Sequence, residues 1–153
     1  MRPNVRCLPK LFILALIPAS GAIQAADISG LWYGVAEYTG GNSDFDHQTV
    51  LSIAATPQTG ISKVTYIYPA LGVTCRSDLS FTGVQTQGSA PNIQRIWTFN
   101  DETNSAQCTD GTVRITTLFH AYGQPSVIQF EWINPAGNVD NVGIFQRTDI
   151  SLP

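Results

Sequence analysis

Val73-Thr74-Cys75-Arg76-Ser77-Asp78-Leu79-Ser80-Phe81-Thr82 is the stretch whose reading decides the fold. Val73, Cys75, Ser77, Leu79 and Phe81 share one phase of a period-two pattern, and Thr74, Arg76, Asp78, Ser80 and Thr82 share the other. Successive side chains of a strand point to opposite faces, so the alternation describes a strand with one buried face and one solvated face. A helix would instead place apolar residues three and four apart. The best helical candidate is Ile93, Ile96 and Trp97, and the turn-forming run from Asp101 to Ser105 ends it.

Outward from this segment the same period recurs. Val113, Ile115, Thr117 and Phe119 form one face, and Ile128, Phe130 and Trp132 another. Turn signals divide the pattern: Gly40-Gly41, Pro57 to Gly60, Pro69 to Gly72, Gly83 to Asn92, Tyr122 to Pro125 and Asn134 to Asn138. Eight strands are expected, at about 31–39, 47–55, 61–68, 73–82, 93–100, 112–121, 127–133 and 142–148. Short connections between consecutive strands predict an all-β, antiparallel up-and-down meander. Closing it into an eight-stranded barrel removes the exposed edges. The interior of such a barrel is either filled by side chains or holds one small ligand, and sequence leaves both open.

The N-terminus has a different composition. Arg2, Arg6 and Lys10 precede the apolar run Leu11 to Ile17, then Pro18, Ser20 and Gly21 break it before Ala25. This is the order of a signal peptide over residues 1–25, leaving a single domain at 26–153. The apolar run is shorter than the roughly 20 residues that span a bilayer, so no membrane insertion is expected after cleavage. Cleavage removes three basic side chains and no acidic one. Five Lys and Arg then face eleven Asp and Glu, a net charge of −6. That sign disfavours nucleic acid and anionic lipid heads as partners, and it allows a basic protein without implying one.

Cys7 leaves with the leader, and Cys75 and Cys108 remain. An even number of cysteines in an exported chain predicts a disulfide, with a metal pair or a catalytic thiol as the alternatives. A loop of this length is worth about 3–4 kcal/mol by the chain-entropy argument. The expected location is periplasmic or secreted.

Few residues suggest chemistry, and no cofactor or metal is expected. Asp44-Phe45-Asp46-His47 is the densest set of ligating side chains, read either as an acid–base or metal cluster or as a polar turn between the first two strands. His120 is the other histidine. No Gly-x-Ser-x-Gly elbow accompanies the serines, so no catalytic residue is assigned and a non-enzymatic protein is expected. Tyr33, Tyr38, Tyr66, Tyr68, Trp97 and Trp132 are the aromatics available to a pocket. Arg95 lies between Ile93 and Trp97. It either reaches water at the strand entrance or turns inward, with Glu131 as one candidate partner, where it could fix an anionic head group. Arg95, Trp97, Tyr66 and Tyr68 are the ligand-binding candidates.

Ser29-Gly30-Leu31-Trp32-Tyr33 opens the first strand with Gly-x-Trp, and Gly143-Ile144-Phe145-Gln146-Arg147 closes the last. This resembles the calycin barrels, the lipocalins and avidins. The resemblance implies that Trp32 plugs one barrel end with Arg147 packed across it, both structural. The middle of the chain, Tyr68-Pro69-Ala70-Leu71-Gly72 with its two cysteines, also resembles small exported bacterial β domains. The leading expectation is an exported barrel binding a small apolar or amphipathic ligand. The alternative is a protein-binding module, such as an inhibitor of a secreted hydrolase.

Overall fold

The computed structural model describes residues 28–89, 93–121 and 124–148. Eight strands run in sequence order: β1 (Gly30–Tyr38), β2 (His47–Ile53), β3 (Ser62–Tyr68), β4 (Val73–Gln87), β5 (Gln94–Thr103), β6 (Gly111–Ala121), β7 (Gln124–Ile133) and β8 (Val139–Arg147). Every strand pairs antiparallel with its sequence neighbours. β1 also pairs with β8, from Trp32 opposite Arg147 to Tyr38 opposite Asn141, which closes the barrel. The expected leader lies outside the described residues, as does the turn at positions 122 and 123.

The period-two reading carries directly into burial. Cys75, Ser77 and Leu79 are buried, while Thr74, Arg76 and Ser80 are exposed. The strand ends differ from the sequence expectation in two regions: β7 and β8 each begin three residues early, at Gln124 and Val139, and β4 and β5 run on past their expected ends. Gly83 to Gln87 continues β4 rather than opening a turn, and Asp101 to Thr103 continues β5 rather than ending it. A register shift between Phe81 and Gly83 absorbs the irregularity, and pairing resumes as far as Gln87 opposite Gln94. Backbone pairing with a neighbouring strand outweighs the local turn preference of glycine and aspartate here.

The interior is filled through its lower and middle parts. Trp32 is fully buried and donates its indole N–H to the Ile28 carbonyl at 2.9 Å. The Arg147 guanidinium carbon lies 5.8 Å from the Trp32 ring centroid, a cation–π contact at that end. Above it Leu51, Phe99, Ile115 and Ile128 pack with the stacked rings of Phe130 and Phe145, whose centroids are 4.6 Å apart. Gly34 makes room for this stack, because a Cβ there would collide with the Phe145 ring.

Candidate functional site

The opposite end of the barrel is built differently. Here β1 runs into β2 through a loop with the short 3-10 turn Ser43–Phe45, and β3, β5 and β7 also end here. Most of the buried polar side chains collect in this upper layer: His47, Thr49, Ser77, Asp101 and Asn141. A cavity of about 250 Å³ opens above them, lined by Tyr66, Tyr68, Val73, Ser77, Trp132 and the Cys75–Cys108 disulfide, with Phe45 and Leu71 at the rim.

The disulfide is formed as the sequence predicts, with Cα atoms 5.9 Å apart. It ties the start of β4 to the loop before β6 and holds Gln107 and Thr109 against the mouth. Because β4 and β6 are separated by β5, the bond reaches past β5 from β4 to this loop and braces the cavity wall.

Asp101 is the centre of the layer. It continues the inward phase of Trp97 and Phe99 and is 1% exposed. The Tyr66 hydroxyl donates to its Oδ2 at 2.6 Å, and the Trp132 indole N–H donates to the same oxygen at 2.8 Å. Oδ1 has no hydrogen-bond partner among the described residues. Burial raises the Asp101 pKa above the ordinary carboxylate value, against the opposing pull of Tyr66, Ser77 and Trp132. Gly111, paired across from Asp101, leaves space for the indole, since a Cβ would stand 2.7 Å from Trp132 Cζ2. In turn, burial first and then the Asp101 charge hold the Tyr66 phenol well above its usual pKa, and the same two causes push Tyr68 up to about 12.

His47 belongs to the same layer and not to an exposed cluster. It is buried, with Nδ1 2.7 Å from Thr49 Oγ1. Its ring packs against Tyr66 and Tyr68 at centroid separations of 5.0 and 4.9 Å. Desolvation lowers its pKa to about 4, although the nearby Asp46 charge pulls the other way. Asp46 and Asp44 serve the turn. Asp46 Oδ1 accepts the Tyr38 backbone N–H at 2.7 Å, and the Asp44 N–H is held by Asn42 Oδ1. The polar-turn reading therefore describes the two aspartates. Among the described residues no three His, Cys, Asp or Glu side chains gather as a metal site.

The four ligand candidates separate. Tyr66 and Tyr68 line the mouth cavity. Trp97 is buried in the lower core, 5.9 Å from the Phe81 ring centroid. Arg95 is half-buried at the entrance of β5, where its backbone N–H donates to Thr117 Oγ1. Both are at the end of the barrel away from the cavity, because β5 enters at the bottom and leaves at the top. Glu131 pairs with Arg114, directly across on β6, rather than with Arg95. The His120 side chain lies outside the described residues.

Sequence reasoning missed Asp101, because Asp101 to Ser105 has turn-forming composition. The signal was there in the period: Trp97, Phe99 and Asp101 are spaced by two. Comparison with protein-family models, with curated proteins and with solved structures finds no match.

Proposed function

We propose that this protein is a non-enzymatic barrel that binds one small ligand at its disulfide-braced mouth. The observation that carries the reading is the contrast between the two ends. Aromatic and aliphatic side chains fill the lower interior, whereas the upper end keeps a cavity of about 250 Å³ with aromatic walls and a polar floor. Ligand sites are concave and mostly apolar, with a few placed polar groups, and begin at about 300 Å³ for drug-sized molecules. This cavity suits a single-ring or short-chain compound.

His47 supports a binding role over catalysis. Its Nδ1 is engaged by a threonine hydroxyl and its ring meets two tyrosines at steep interplanar angles of 72° and 59°, whereas a general base would be oriented by a carboxylate. The disulfide is consistent with an oxidising, extracytoplasmic compartment.

The test uses saturation-transfer NMR with phenol, benzyl alcohol and benzyltrimethylammonium as probes. Binding of at least one, lost in Val73→Trp, which plugs the cavity from its wall, is the expected result. Failure of all three, or equal transfer to the plugged variant, would refute the reading.

One observation favours a protein partner as a second reading. Phe45 and Leu71 stand exposed on loop tips at the rim, where an inserted side chain would meet them before entering the cavity. Co-elution with lysozyme, a basic secreted hydrolase, on size exclusion tests it. Separate elution at micromolar concentration removes the inhibitor version.

A further inference from the structure

We infer that the ligand class for the mouth cavity is a small organic cation, a protonated amine or a quaternary ammonium; this rests on the mouth-binding reading. The argument begins with the accounting of donors. Tyr66 and Trp132 both line the cavity, and each has its polar hydrogen committed to Asp101 Oδ2. A phenol that donates its proton keeps only acceptor lone pairs for a ligand, and an indole that donates its N–H keeps only its ring. Two of the main walls therefore offer electron-rich surface and no donor. Donation to a carboxylate adds electron density to both rings, which strengthens their attraction for a cation.

The second strand of the argument is charge. Asp101 is buried directly behind Tyr66, Ser77 and Trp132, and Oδ1 is unsatisfied. Arg114 is paired with Glu131, and Asp101 has no countercharge within ion-pair distance among the described residues. A buried carboxylate without a countercharge is costly even when hydrogen-bonded, and a cation brought against the Tyr66–Trp132 wall offsets that cost across a low-dielectric gap. His47, in the same layer, is held neutral by burial and supplies no such charge. An anion would be repelled by Asp101, and a neutral apolar compound would leave Oδ1 as it is. The domain's net charge of −6 after leader removal would raise the local concentration of cations. The cavity volume, equal to about eight waters, accepts a trimethylammonium or aminomethyl group on a short tail.

The experiment is a calorimetric titration of the exported, disulfide-bonded protein with choline, benzyltrimethylammonium and the neutral isostere of each in which carbon replaces the quaternary nitrogen. The cations are expected to bind at least about tenfold more tightly than their isosteres. Asp101→Asn is expected to remove most of that preference, bringing the cation close to the affinity of its isostere. Where Asp101→Asn fails to fold, Trp132→Phe serves instead, since it replaces the indole face, the strongest cation–π wall of the cavity, by a weaker one and is expected to reduce the preference severalfold. Equal affinity for cation and isostere, or a preference that survives both substitutions, overturns the cation inference and leaves mouth binding standing. Absence of binding by every probe overturns the inference as well. If Val73→Trp then also changes no probe's saturation transfer, the mouth-binding reading falls with it.

Discussion

Acidification should weaken this barrel through His47, and the size of the effect follows from its burial. The imidazole sits among Tyr66, Tyr68 and Phe130, and its pKa falls from 6.5 in the unfolded chain to about 4 in the folded one. Between those values the unfolded state binds the proton and the folded state does not. Stability is therefore complete above about pH 6.5 and is lost as pH falls toward about 4. A shift of this size corresponds to roughly 3 kcal/mol, at about 1.4 kcal/mol per unit. Because the ring is 1% exposed, little of this is screened by solvent. Asp101 acts with the opposite sign, since its raised pKa makes the folded state the better proton acceptor once pH drops into its range. The two are separated by comparing the protein with His47→Gln. The difference in urea unfolding free energy between them isolates His47 while Asp101 cancels. That difference should shrink by about 2–3 kcal/mol from pH 7 to pH 4.5, read by tryptophan fluorescence. A difference that stays constant with pH, or an imidazole resonance, lost in His47→Gln, that titrates at its ordinary value, would refute the reasoning.

Further outcomes follow from the same geometry. Replacing Cys75 and Cys108 together by serine should cost about 3–4 kcal/mol in urea unfolding, and a loss below about 1 kcal/mol would mean that the bond does not constrain the unfolded chain. Trp132→Phe removes a charge-assisted donor to Asp101 and should cost about 1.5–3 kcal/mol, visible as a lower thermal midpoint. Gly111→Ala should be destabilising through the collision with Trp132, and a neutral result would show that the indole can shift freely. Arg147→Ala should cost at least about 0.5–2 kcal/mol from the lost contact over Trp32.

The architecture was written locally. Alternation such as Val73 to Phe81 describes a half-buried strand without reference to any other part of the chain. The turn residues between such runs set the strand count, and the pairing of Cys75 with Cys108 was legible from their being the two cysteines of the strand-forming region. The site was not local. Asp101 reads as the start of a turn because aspartate favours loops, and only pairing with Leu79 on β4 and Gly111 on β6 draws it into the strand and the interior. Tyr66, Ser77, Asp101 and Trp132 lie on four different strands, and barrel closure alone makes them neighbours. Likewise, Arg95 and Tyr66 look equally suited to a ligand in sequence, and strand direction puts them at opposite ends. Period and turn chemistry act over a few residues, so the chain displays them. Which polar side chains share one buried layer depends on register across strands far apart in sequence, and that is decided only when the sheet closes.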